Sequence, residues 1–200
     1  NGWFRFIDKI FVATEYHKNL LLSKRIVNTN QIIVTGLPIY SDEFVKPINK
    51  ENIVVFPHRL DLEKQPHLFD RLKSKLKFDY PSWLFVRTKD VCRSKKDYYD
   101  LLNKAKISVS FAKQETFGIA MLESLFCGCI PIVPNRLSYS ELFADTMFLR
   151  DDDNDVISFV SELLSDPNTL YLASEEAKML ANKLKPRCES AISKILEVIK

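Results

Sequence analysis

The sequence predicts an α/β fold, a mostly parallel sheet with helices on both faces. Three observations predict it. Short apolar runs rich in β-branched and aromatic residues recur along the 200 residues. Longer stretches of helical period separate them, and turn or cap residues flank each run. The order is Rossmann-like, β then α repeated, and an apolar fraction of 46% is enough to bury a proper core.

The first strand is expected at 9–13 and leads into a helix at 15–24, and the second at 31–35 closes on Gly36-Leu37-Pro38. Turn-forming and charged residues from Lys46 to Glu51 then interrupt the rhythm. After them come strand 52–56, helix 65–77, strand 83–87, helix 95–105, strand 107–111, helix 116–127, strand 130–133, helix 139–143 and strand 147–149. Three helices without strands, 155–165, 170–184 and 188–199, finish the chain and are expected to pack across the sheet edge or reach back to another domain. The interruption suggests a boundary, with 1–45 as the end of a preceding domain plus a crossover and 46–200 as the main domain. Asn1-Gly2-Trp3 lacks an initiator methionine, so the rest of that preceding domain is expected to be missing.

A net charge of +3 does not announce a nucleic-acid or membrane-surface protein. Four cysteines make no disulfide framework and no zinc-ligand spacing, which fits a reducing cytoplasm. The longest apolar run, around 130–133, is too short to span a bilayer.

Two stretches carry chemistry. Glu115-Thr116-Phe117-Gly118 follows a strand and opens the helix that holds Glu123. Free backbone N–H groups at such a helix start face the crevice where anions bind in open α/β sheets, and Gly118 lets a ligand approach the backbone closely. Eight residues of helix rise roughly 12 Å, about the reach of a ribose-diphosphate-hexose, so one carboxylate could serve each end. Spacing alone fits a plain amphipathic helix better. The second stretch, Pro57-His58-Arg59 to Lys64, leaves strand 52–56. Arg59 can grip phosphate through two parallel bonds while Lys64 adds a point charge, and pairing of Arg59 with Asp61 or Glu63 in a capping loop is the bland alternative. His58 is the one histidine placed where a ligand could be touched.

Arg59 with Lys64, then Glu115 and Glu123 eight apart with Phe117-Gly118, then Cys127-Gly128-Cys129-Ile130-Pro131, resembles the C-terminal half of retaining glycosyltransferases of the GT-B fold, family 4-like. Pro57-His58-Arg59, Glu63-Lys64-Gln65-Pro66 and 134–143 are similar to the branch that mannosylates queuosine in tRNA. The resemblance implies a nucleotide-sugar-binding domain at 46–200 using a UDP- or GDP-hexose as donor, with no cofactor and no metal. It implies Arg59 and Lys64 on the diphosphate, Glu115, Thr116 and the Phe117-Gly118 backbone near the sugar, and Glu123 on the ribose. Arg59, Lys64 and Glu115 would carry catalysis, and the acceptor would be a hydroxyl, such as that of a modified nucleoside in tRNA or DNA. A lipid or polysaccharide acceptor, or a non-catalytic binding module, are the alternatives. The family's glycine before the arginine is Pro57-His58 here, and 77–107 shows less sheet than the family has.

Asp151 to Asp155 reads as a helix N-cap rather than a metal motif. Cys127 and Cys129 read as small buried thiols at a helix-to-strand turn. The cations Lys73, Lys75, Lys77, Arg87, Lys89, Arg93, Lys95 and Lys96, with Tyr80, Trp83, Tyr98 and Tyr99 nearby, could form a nucleic-acid track with stacking platforms. Interspersed acids make a solvated face with core aromatics the better reading.

Overall fold

A computed structural model describes residues 6–25 and 27–200; residues 1–5 and 26 of the expected N-terminal segment lie outside it. Among the described residues, seven strands form: β1 (Ile10–Val12), β2 (Ile32–Val34), β3 (Glu51–Phe56), β4 (Leu84–Arg87), β5 (Ala105–Val109), β6 (Ile130–Pro134) and β7 (Leu149–Arg150). The helices are α1 (Glu15–Ser23), α2 (Pro66–Leu76), α3 (Thr88–Val91), α4 (Lys95–Lys104), α5 (Ile119–Phe126), α6 (Tyr139–Leu142), α7 (Asp153–Ser165), α8 (Pro167–Glu189) and α9 (Ala191–Ile199).

β1 and β2 pair in a small parallel sheet of their own, over a core of Val12, Val27 and Ile32. The main sheet runs β4-β3-β5-β6-β7, parallel throughout. Its central strands lie between two helical layers, so Val54, Val55, Phe56, Ile107, Val109, Ile132 and Val133 are fully buried. From β3 the chain crosses to β4 on one side, and from β5 to β6 on the other. Right-handed crossovers therefore put α2 and α5 on opposite faces, where α2 packs with α7 and α5 with α4 and α8. The connections diverge between β3 and β5, and the crevice at the carboxyl ends of such a strand pair is the place where open α/β sheets bind ligands.

The last two helices differ from the sequence expectation. The break expected near Pro186 comes at Ser190, because α8 carries through Pro186 with the loss of one donor. α8 also starts earlier, where Asp166 caps Asn168 and Thr169 and Pro167 takes the first position. The acidic run behaves as a cap, Asp152 accepting from the N–H groups of Asn154 and Asp155. Cys127 and Cys129 are buried at the α5–β6 turn, which Gly128 closes at φ 83°.

Candidate donor site

The loop leaving β3 is shaped by its own sequence. After a 3-10 turn at Leu62–Lys64, Gln65 takes the left-handed conformation at φ 55° and Pro66 opens α2. The Gln65 side-chain amide donates to the Phe111 carbonyl at 3.0 Å, and the Lys113 N–H donates to the Glu63 carbonyl at 2.7 Å. Lys64 Nζ donates to the Gln114 carbonyl at 2.6 Å and lies 3.1 Å from the Glu115 carboxylate. The loops after β3 and β5 are thus sewn into one rim. Arg136 secures the same rim from below, donating to the carbonyls of Phe111 and Ala112 at 2.9 Å each.

The second loop corrects the expectation of a helix from Thr116. α5 begins at Ile119, because Gly118 stands at φ 83° and breaks the helical path. A Cβ on Gly118 would come within 2.7 Å of the Tyr139 ring, so this glycine is required by the ring behind it as well as by its backbone angle. The helical rise between Glu115 and Glu123 therefore does not apply. Nor are the loop amides free: Glu115 Oε1 accepts from the N–H groups of Thr116 and Phe117 at 3.0 and 3.4 Å. The anion held by this nest of amides is the chain's own carboxylate. Burial would raise the Glu115 carboxyl, but Lys64 and the amides of Gly118 and Phe117 outweigh it and hold it below its ordinary value.

Arg59 is exposed and pairs with Asp61 at 3.2 Å and Glu63 at 3.4 Å, the bland alternative of the sequence reading. Exposed pairs of this kind are worth little, so the guanidinium is available to a stronger anion. His58, expected to face a ligand, is instead enclosed at 3% exposure, edge-on to Phe56 with its Nε2 unpartnered. Burial, then the neighbouring Lys64, pushes its pKa down to about 3, so the ring is neutral at ordinary pH.

Beside this rim lies a cleft of about 420 Å³, framed by the ends of β3 and β4 and the start of α4. Arg59, Lys89, Arg93 and Lys95 line it, together with Tyr98, Tyr99 and Glu123. Arg59 and Glu123 are brought together there. Lys64 and Glu115 do not line it and form an abutting cluster, joined through the Arg59–Glu63 ion pair. Both oxygens of Glu123 are held, by the Tyr98 hydroxyl at 2.9 Å and the Tyr99 hydroxyl at 2.6 Å.

Lys89, Arg93, Lys95, Tyr98 and Tyr99, which line the cleft, were not among the site residues expected from the sequence. The signal was the basic and aromatic segment, read as a nucleic-acid track or a solvated face. The track finds little support: Trp83 is buried, Tyr80 bonds Ser161 at 3.0 Å, and Arg87 pairs with Asp70 and Asp90. Among the described residues, no group of three His, Cys, Asp or Glu side chains could hold a metal ion, and no helix is long and apolar enough to cross a membrane.

No family model matches the chain. A stretch of 49 residues, 24% of this chain and 13% of the relative, is 47% identical to the tRNA-queuosine alpha-mannosyltransferase of Drosophila melanogaster. Among solved structures, TarM of S. aureus superposes with a TM-score of 0.76 at 15% identity, over 97% of this chain and 44% of TarM. HepE of Anabaena, solved with UDP and glucose, gives 0.76 at 11% identity over 97% of this chain and 64% of HepE. A glycosyltransferase from Rickettsia africae gives 0.75 at 14% identity over 99% of this chain and 66% of its own. The chain has the GT-B glycosyltransferase fold. It spans roughly half the length of these GT-B structures, 44% of TarM and 66% of the Rickettsia enzyme. Within this GT-B half, the start of α1, which follows β1, contacts the loop after β5 and α6 directly. The Thr14 hydroxyl donates to the Thr116 carbonyl at 2.8 Å, and Glu141 accepts from the Tyr16 N–H at 3.0 Å.

Proposed function

We propose that this chain is the donor-binding half of a glycosyltransferase that moves a hexose from a nucleoside diphosphate sugar to a hydroxyl, with retention at the anomeric carbon. The observation that carries the reading is the meeting of Arg59 and Glu123 in one cleft, with Lys64 fixed beside it at the strand divergence. The HepE structures, solved with UDP, support a nucleotide-sugar donor.

In this reading Arg59 leaves Asp61 and Glu63 for the diphosphate, where a guanidinium forms two parallel bonds, and Lys64 adds its charge. Both stabilise the negative charge that develops as the glycosidic C–O bond breaks, and they need no reorganisation of the loops that hold them. Glu123 receives the ribose, and Glu115 with the Phe117-Gly118 backbone faces the sugar. A phosphate oxygen of the leaving group takes the acceptor's proton on the face from which the acceptor attacks. That geometry retains the configuration and requires no protein nucleophile.

The stretch shared with the Drosophila enzyme supports a modified nucleoside as acceptor, with queuosine in tRNA the first choice and a modified base in DNA the next. The acceptor wall belongs to a second domain, of which 1–45 is the end, so the 200-residue chain alone turns over little substrate. Calorimetry with UDP- and GDP-hexoses on the wild type and Glu123→Ala tests the donor. Binding that the substitution abolishes supports the reading, and no binding by either protein contradicts it. A salt-sensitive gel shift with tRNA tests the acceptor, and the absence of a shift removes its support.

A further inference from the structure

Glu123 would be a poor recognition group if its side chain were free, since a half-buried glutamate on a helix loses rotamer entropy whenever it binds. Here it is not free. Tyr98 and Tyr99 each donate a hydroxyl to a different oxygen of the one carboxylate. The rings are themselves fixed: Tyr99 stacks on the buried Phe44 at 4.2 Å and 7°, and Tyr98 meets Tyr99 edge-on at 5.3 Å. The helix that presents them is locked at its start by the Ser94–Asp97 capping box, and the Asn103 amide ties its other end to the Phe44 carbonyl at 2.8 Å. Burial first, and then Glu123 itself, push both phenols above their ordinary range, which keeps them as donors.

We propose that Tyr98 and Tyr99 are positioning residues that hold Glu123 to receive the two hydroxyls of a ribose, making the cleft select ribonucleotides over deoxyribonucleotides. A carboxylate oxygen has two acceptor sites. With one phenol on each oxygen, one site per oxygen remains, beside a cleft that Glu123, Tyr98 and Tyr99 all line. Two such sites, side by side and fixed in direction, match a vicinal diol. A 2′-deoxy sugar fills one and leaves the other without a partner.

The inference rests on the donor reading above, and its test keeps the two apart. Calorimetry on the 200-residue chain uses UDP and GDP with their 2′-deoxy and 2′,3′-dideoxy counterparts, on the wild type, Tyr98→Phe, Tyr99→Phe, the double variant and Glu123→Ala. The wild type should prefer the ribonucleotide. Each phenylalanine, which keeps the ring packing, should weaken ribonucleotide binding by about fivefold and leave dideoxynucleotide binding unchanged. The double variant should flatten the preference as Glu123→Ala does. A preference that survives both phenylalanines but not Glu123→Ala overturns the positioning role and spares the donor reading. Equal weakening of all three sugars makes the tyrosines merely structural and also overturns it. No binding of any nucleotide by the wild type overturns the donor reading and the inference together.

Discussion

The ammonium of Lys64 lies 3.1 Å from the carboxylate of Glu115, two residues 51 positions apart that tie the loop after β3 to the loop after β5. The pair is mostly buried, with side-chain exposures of 12% and 15%, and Lys64 also holds the Gln114 carbonyl. This contact therefore couples the charge of the rim to its geometry, alongside the Gln65–Phe111 and Lys113–Glu63 bonds.

Lys64→Met should leave the Glu115 carboxylate without its cation and lower stability at pH 7 by about 3 kcal/mol. Glu115 has a folded pKa below its unfolded value, so its contribution is present above the unfolded carboxylate pKa and is lost as pH falls through the folded one. Urea unfolding at pH 7 and pH 3 should show the gap between wild type and variant narrowing in acid. A gap that does not change with pH would count against the pair.

Gly118→Ala should destabilise the protein by about 2–4 kcal/mol, adding left-handed strain to overpacking against Tyr139. Thermal unfolding reads the loss directly. A wild-type melting temperature would mean that the glycine answers to something other than its φ and its neighbour.

His58 gives a pH dependence of its own. In the unfolded chain it binds a proton below its ordinary 6.5, whereas the folded ring stays neutral down to about 3. Between these values the unfolded state binds more protons, so stability falls with falling pH by up to about 1.4 kcal/mol per unit from this group. The slope should be shallower in His58→Gln, measured by denaturant unfolding from pH 7 to pH 4. Parallel slopes would place the imidazole in contact with water.

Lys50 ties three backbone ends together away from the cleft, donating to the carbonyls of Leu102 at 3.2 Å, Ala105 at 2.9 Å and Cys127 at 2.5 Å. Burial lowers its pKa against the smaller opposing effect of the nearby thiols. Lys50→Met should cost about 2–4 kcal/mol by leaving these carbonyls unpaired, and calorimetric unfolding would measure it. An unchanged stability would show that water replaces the amine.

The strands were legible because parallel strands between helices are apolar along their length, so 52–56 and 130–133 needed no partner to be recognised. The rim was legible in part, since Arg59, Lys64 and Glu115 lie in loops that follow strands and Glu123 on the helix after one of them. The start of α5 at Ile119 was not, because Gly118's left-handed angle is enforced by Tyr139, 21 positions on. The hold of Tyr98 and Tyr99 on Glu123 crosses between two helices at separations of 25 and 24 positions, which local periodicity does not encode. The enclosure of His58 likewise depends on tertiary packing and not on its tight Pro57-His58-Arg59 context.

Amide chemical shifts of the 200-residue chain, followed by NMR while UDP or GDP is added, bear most directly on the proposed donor rim. The largest changes should fall on 57–64 and 115–120, extend to 93–99, and vanish in Arg59→Ala with Lys64→Met. Changes confined to another surface, or none at all, would contradict a pyrophosphate site at the meeting of these two loops.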